Sequence, residues 1–203
     1  MLRAGAVVLA GGRSSRMGRD KAVLEWGGVT AVEHAVAVAR AGVDGGTVCV
    51  VRAPGQELPD LEAVVVEDPV AFAGPLAALT EGLAALEGRC EVAFACGVDT
   101  PLLVPELVQV VVGALQDEDD AVVPVADGRD QPLLAAYRVG LAARLRELLD
   151  AGHRSLRDIP DSCSVRRLPE EAFRAVDPGL RSAVNANTPE EWAALLDEAR
   201  ASG

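Results

Sequence analysis

Along the chain, short runs of apolar residues alternate with longer stretches in which apolar positions recur at helical spacing. "GAVVLA" (5–10) has no polar alternation and predicts a strand buried on both faces. "TVCVV" (47–51), "AVVVE" (63–67), "EVAFAC" (91–96), "AVVPV" (121–125) and "PLLAAYR" (132–138) predict further strands. "TAVEHAVAVARAG" opens with Thr30 and Glu33 at capping-box spacing and stops at Gly42, which predicts a helix. Pro75 starts a second helix that Gly88 ends. Three more are expected over about 105–116, 140–151 and 189–201, the last behind Thr188 as N-cap, with Pro189, Glu190 and Glu191 in its first turn. The polar stretch "ADGRDQ" reads as a turn between the last two strands.

Strands apolar on both faces, alternating with helices, imply an α/β protein: a three-layer αβα sandwich around a mostly parallel sheet. No repeat, low-complexity tract or linker divides the sequence, so residues 1–203 read as a single domain. In such sheets ligands bind beyond the carboxyl ends of the strands, where the loops 11–20, 68–75 and 97–101 are expected.

Composition narrows the partners. Half of the 203 residues are hydrophobic but only 3% are aromatic, so the core must be built from Val, Leu and Ala. A formal net charge of −12 argues against a nucleic-acid backbone as partner. No segment approaches the roughly 20 apolar residues of a membrane span. The apolar N-terminal run is short and leads into Arg-rich sequence, unlike a secretory leader. Cys49, Cys90, Cys96 and Cys163 lack metal or redox spacing, and the first three sit in apolar segments as small buried hydrophobes. The expectation is a soluble, cytoplasmic protein.

Charge is distributed unevenly. "LAGGRSSRMGRDKA" (9–22) carries Arg13, Arg16, Arg19 and Lys21 within nine residues of a chain with 19 basic residues in all. Gly11 and Gly12, just after a buried strand, let the backbone turn and aim successive N–H groups at one point. The neighbouring cations would neutralise an anion held there, such as a triphosphate with about four negative charges. The spacing fits neither a Walker A loop nor GxGxxG. Lys21 is the only lysine against 18 arginines, and a compact ammonium differs most from a guanidinium where a point charge enters a tight phosphate site. Asn185 and Asn187, the only asparagines, fall together in "NAN". Asp68 and Asp99 each follow a strand and precede a proline region; they read either as turn caps or as carboxylates of a Mg²⁺–phosphate site. "GHRSLRDI" sets Arg154 and Arg157 three apart, a solvated face or a contact for a second phosphate-bearing substrate. His34 and His153 have no catalytic spacing.

These segments, with "EDPVAFAGPLAAL", "GVDTPLL", "DGRDQPLLAAY" and "NANTPEEW" in order, resemble the molybdenum cofactor guanylyltransferase family of nucleotidyltransferases over essentially the whole chain. The resemblance implies a Rossmann-like nucleotidyltransferase fold that transfers GMP from GTP to molybdopterin, releasing pyrophosphate, with Mg²⁺ as cofactor. On this sequence, Leu9, Ala10, Gly11 and Gly12 would hold guanine and phosphates through the backbone. Arg16 and Lys21 would face the triphosphate and act in catalysis with Asp99, the Mg²⁺ ligand. Asp68 would lie in the guanosine site, and Asn185 or Asn187 near the metal or the acceptor phosphate. The "DGRDQP" turn and the Arg154/Arg157 pair would lie toward molybdopterin. Contacts with molybdenum cofactor biosynthesis and acceptor proteins are implied; nucleic acid and membrane are not. Relatives often carry an Asn near the end of the second strand, where this chain has Val51, Arg52 and Ala53. The open alternatives are a related nucleotidyltransferase using CTP or another phosphorylated acceptor, and a non-catalytic GTP-binding protein.

Overall fold

The computed structural model describes residues 2–12, 19–69 and 74–202. Its strands are β1 (Ala4–Leu9), β2 (Glu25–Trp26), β3 (Val29–Thr30), β4 (Val48–Arg52), β5 (Val64–Glu67), β6 (Val92–Gly97), β7 (Ala121–Ala126), β8 (Arg129–Asp130), β9 (Leu134–Arg138) and β10 (Val165–Leu168). Its helices are α1 (Ala31–Gly42), α2 (Pro75–Ala85), α3 (Pro105–Gly113), α4 (Ala142–Asp150), α5 (Glu170–Arg174) and α6 (Pro189–Ser202). The main sheet runs β10-β7-β9-β6-β1-β4-β5, with β8 hairpinned onto β7 and β2–β3 forming a separate ribbon. Along that path only β9 opposes its neighbours; the pairs β1–β4, β1–β6, β4–β5 and β7–β10 are parallel. The expected α/β sandwich with a mostly parallel sheet is what the chain forms.

Alternation along each strand builds both helix layers. Ala6, Val8, Val48, Val50, Val92, Phe94 and Cys96 point into one core with residues of α1, α3 and Trp192 of α6. Val7, Leu9, Cys49, Val51, Ala93 and Ala95 point into the other with α2 and α4. Both sides of these strands are therefore apolar, which is why they lack a polar period. Thr30 caps α1 through the predicted box: its hydroxyl accepts from Glu33 N while the Glu33 carboxylate accepts from Thr30 N at 2.7 Å.

Several elements differ from expectation. The helix predicted over 140–151 begins as a 3₁₀ turn (Val139–Leu141) before α4. "ADGRDQ" is more than a turn: Asp127 and Gly128 adopt positive φ (49° and 68°), and Arg129–Asp130 pair back onto Val125–Ala126. That is the two-residue Asp-Gly hairpin, whose left-handed positions match strand twist. The 3₁₀ segment Leu156–Asp161 starts after Arg154, so Arg154 and Arg157 do not share a helical face.

From β1 the chain crosses through α1 to β4 on one side; from β6 it crosses through α3 to the opposite flank. Adjacent strands whose connections diverge leave a crevice at their carboxyl ends. The exits of β1 (after Leu9), β6 (after Gly97), β4 (after Arg52) and β5 (after Glu67) all open onto that edge.

Candidate active site

The loop leaving β1 is held close to the exit of β4. Ala10 N and Gly11 N both donate to Val51 O, at 2.9 and 3.2 Å. A Cβ on Gly11 would stand 2.7 Å from Ala53 N, so glycine is required for this approach. A Cβ on Gly12 would meet nothing within 4 Å, and Gly12 is exposed. The Gln56 amide ties the two loops: it donates to Ala10 O (3.1 Å) and Asp20 Oδ2 (2.7 Å), and its oxygen accepts from Ala53 N (2.8 Å). Asp20 in turn caps the 3₁₀ turn Lys21–Val23 by accepting from Ala22 N at 3.0 Å. Sequence reading missed Gln56 because its partner Ala10 lies 46 positions away and no local pattern joins them. Arg13 and Arg16, expected to face phosphates, lie outside the described residues.

Across the crevice, Asp99 follows β6 and folds back over it. A Cβ on Gly97 would stand 2.4 Å from Asp99 Oδ1, so the carboxylate occupies space that any other residue would fill. Lys21 Nζ lies 3.9 Å from Asp99 Oδ2 and donates to Asn187 Oδ1 at 3.0 Å. Ala186 is fully buried and its N–H donates to Asp99 O at 2.9 Å. This anchor throws Asn185 and Asn187 outward on either side of it, both exposed. Behind them, Thr188 and Glu191 exchange bonds across the first turn of α6, 3.1 Å from Thr188 N to the carboxylate and 3.2 Å from Glu191 N to the hydroxyl. Glu191 also accepts from Asn187 N at 2.6 Å.

Two clefts follow. One, of about 390 Å³, is lined by Leu9, Ala10, Gly11 and Gly12 on one wall, and by Lys21, Asp68 and Asp99. Arg52 and Ala53 also line it. The other, of about 1120 Å³, is lined by Asn185, Arg129, Gln131, Arg157 and Arg167. Pro75, Asp99 and Leu133 border both. The structure thus divides the asparagines: Asn187 engages Lys21, whereas Asn185 faces the second cleft. It also divides the arginines, since Arg157 lines that cleft while the Arg154 guanidinium donates to Leu149 O at 2.8 Å and caps the end of α4.

Asp68 is buried (8% exposed), and its N–H donates to Arg52 O at 2.9 Å. Among the described residues, no group of three or more His, Cys, Asp or Glu side chains could hold a metal ion by itself. Burial pushes the Cys49 and Cys96 thiols up to about 12, so both stay protonated. His34 buttresses the Asp99 loop from behind, with Nε2 2.9 Å from Pro101 O and its ring 5.8 Å from that of Trp26. Trp26 stacks edge-on with Trp192, whose Nε1 donates to Glu25 O at 3.0 Å. No helix among the described residues is long and apolar enough to cross a membrane.

A family model described as the MobA-like NTP transferase domain matches residues 6–170. A probable molybdenum cofactor guanylyltransferase of Mycobacterium avium is 40% identical over 200 residues, 96% of this chain and 95% of that protein. Among solved structures, the molybdopterin-guanine dinucleotide biosynthesis protein A of Archaeoglobus fulgidus superimposes with a TM-score of 0.77 at 23% identity, covering 98% of this chain and all of that one. The Rv0371c protein of Mycobacterium tuberculosis, solved in complex with manganese, shares the fold at a TM-score of 0.57 and 17% identity, covering 96% of this chain and 98% of that one.

Proposed function

The chain belongs to the MobA-like NTP transferase family, and from that membership we propose that it transfers GMP from GTP to molybdopterin with release of pyrophosphate. The observation that carries the reading is the pair of clefts meeting at Asp99. Group transfer between two bound substrates needs such a boundary, with the reacting phosphorus near it and the two ligands extending apart. GTP occupies the smaller cleft along the glycine loop, and the acceptor occupies the larger one among Arg129, Arg157 and Arg167.

The molybdopterin phosphate attacks the α-phosphorus in line, and the bond from that phosphorus to the bridging oxygen of the β-phosphate breaks. A phosphate monoester is already ionised near neutral pH, so no side chain need act as general base. Both reactants are anions; the protein's task is to lower their repulsion and steady the departing pyrophosphate. Lys21, oriented by Asn187, places an ammonium beside the triphosphate. Arg16, in the segment between loop and turn, is assigned the same task. Asp99 would hold Mg²⁺ as its one carboxylate, with phosphate oxygens and water as the other ligands. The donor set fits: a single partly exposed carboxylate (32%) pinned against Gly97 suits a hard cation that arrives with phosphates, not a closed protein cage. Bound there, Mg²⁺ would supply neutralisation of phosphoryl charge.

The test is pyrophosphate release measured with each of the four NTPs, with and without molybdopterin. Release with GTP that depends on molybdopterin is expected. GTP binding with no release for any acceptor would make the protein a nucleotide binder, and preference for CTP would overturn the guanylyl assignment.

A further inference from the structure

A lysine carries its ammonium on a long flexible stem, so it serves a phosphate site only if both ends of that stem are held. The head of Lys21 is held by Asn187 Oδ1 at 3.0 Å, with Asp99 Oδ2 at 3.9 Å. Its backbone lies in the single 3₁₀ turn Lys21–Val23. Such a turn has poor internal hydrogen-bond geometry and needs support from outside. Buried Ala22 gives part of it, and the Asp20 cap gives the rest, with Oδ1 accepting from Ala22 N at 3.0 Å. The other oxygen of that carboxylate, Oδ2, accepts from Gln56 Nε2 at 2.7 Å.

Gln56 is itself fixed before any ligand arrives. Its N–H donates to Ala53 O at 3.1 Å and closes a turn in which Pro54 is followed by Gly55 at φ 70°. Proline second and a left-handed glycine third are the requirements of a type II turn. Glu67 Oε2 accepts from Gly55 N at 3.3 Å, and Arg52 Nη1 donates to Gln56 O at 3.0 Å, which ties the turn to β5 and β4. The side chain then folds back, its Oε1 accepting from Ala53 N at 2.8 Å. That contact aims Nε2 away from the turn, at Ala10 O and at Asp20. Gln56 is not among the residues that line either cleft, so it acts through its partners and not by touching a substrate.

We infer that Gln56 is a positioning residue for Lys21: it orients Asp20, Asp20 caps the 3₁₀ turn, and the turn delivers the lysine to the wall of the smaller cleft. The inference rests on the function proposed above. With both oxygens held, the Asp20 carboxylate is also kept from competing with phosphate for the ammonium next to it in the chain. Without the amide, the lysine must be ordered when the nucleotide binds, and the loss appears in affinity for GTP.

The experiment measures dissociation constants for GTP by calorimetry on the wild type, Gln56→Ala, Lys21→Ala and the double variant, each well below its own melting temperature. Lys21→Ala should lose at least about tenfold, and Gln56→Ala about tenfold, the scale of a hydrogen bond to a charged group. The double variant should bind no more weakly than Lys21→Ala alone, because Gln56 has nothing left to position. Gln56→Glu keeps the size of the side chain and sets a second carboxylate against Asp20. Two carboxylates sharing a site raise the pKa of one, and a shared proton restores the bond. GTP affinity of Gln56→Glu, relative to the wild type at the same pH, should therefore rise from pH 8 to pH 6. The other charged groups at this turn, Arg52 and Glu67, pair with each other at 3.1 Å and are common to both proteins. A flat pH ratio, a Gln56→Ala protein that binds GTP normally, or losses that add in the double variant would each overturn the inference alone. Failure of the wild type to bind GTP, or of Lys21→Ala to weaken it, would bring down the proposed function and this inference with it.

Discussion

The two loop glycines make opposite predictions, and exchanging each for alanine separates folding from binding. In Gly11→Ala the new Cβ stands 2.7 Å from Ala53 N, 3.1 Å from Arg52 C and 3.2 Å from Ala53 Cα. Carbon contacts are comfortable at about 3.5 to 4.0 Å, so the loop and the β4 exit must part by roughly half an ångström or more. They resist, because Val51 O accepts two loop amides and Ala53 N is held by Gln56. Overpacking of this kind costs about 1–3 kcal/mol. At about 2–4 °C per kcal/mol for a chain of this length, the melting temperature should fall by about 6 °C. Gly12 has no neighbour within 4 Å, and its φ is not among the positive values. Alanine there trims only the freedom of the unfolded chain, which stabilises by about 0.4–1 kcal/mol. The added methyl nevertheless stands on the wall of the smaller cleft, so GTP should bind at least about tenfold more weakly, a loss of about 1.4 kcal/mol. Thermal unfolding and calorimetric titration with GTP decide the matter on the same samples. A Gly12→Ala protein that melts as low as Gly11→Ala, or that binds GTP as the wild type does, refutes the reasoning.

Asp99→Asn should cut pyrophosphate release by at least about a hundredfold, the scale of losing one preorganised electrostatic contact. Its melting temperature should stay within a few degrees, since a 3.9 Å pair with Lys21 at a partly exposed site is worth less than about 1 kcal/mol. Arg157→Ala should raise KM for molybdopterin about tenfold while leaving that for GTP unchanged, because Arg157 lines only the second cleft; equal effects on both substrates would show that the clefts are misassigned. Burial holds the His34 imidazole below its ordinary value, with the Pro101 carbonyl opposing. The unfolded chain then binds the proton first, so stability is full above about pH 6.5 and declines as pH falls toward the folded value. The slope of melting temperature against pH from 7.5 to 5.5 should flatten in His34→Gln, and an unchanged slope would contradict this origin.

The centre of the sheet was legible because β1 and β6 are buried on both faces: "GAVVLA" and "EVAFAC" admit no other period, and the mostly parallel order follows from the helices between strands. What escaped notice was short or charged. β10 carries Arg166 and Arg167 on an edge strand, where charge guards the open ladder and hides the apolar pattern. The ribbon β2–β3 has two-residue strands, too short to show alternation. Among candidate residues, rarity in the chain singled out Lys21 and Asn187, and they form one contact across 166 positions. Arg52 drew notice only as a departure from relatives, and Gln56 not at all. Their partnership is created by folding β4 beside β1, a long-range event that leaves no mark on neighbouring residues.

A chain with a net charge of −12 would seem a poor host for two polyanions. The resolution is that charge acts over about 8 Å at physiological ionic strength, so local placement outweighs the total. Away from the clefts, acids are matched in place: Asp120 with Arg144 at 2.6 Å, Glu81 with Arg146 at 2.8 Å, and Asp119 with Arg166 at 2.6 Å. Along the carboxyl edge of the sheet the balance changes, and Lys21, Arg52, Arg129, Arg157 and Arg167 all line one cleft or the other. The acids admitted there have tasks of their own. Asp130 holds Arg167 through two bonds, at 2.9 and 3.2 Å, and Asp99 faces the single ammonium. An ammonium suits that position better than a guanidinium. It is compact enough to meet Asn187 and Asp99 at once, whereas a planar fork would hold all of its donors in one plane. The lone lysine among 18 arginines is thus explained by the geometry it must satisfy.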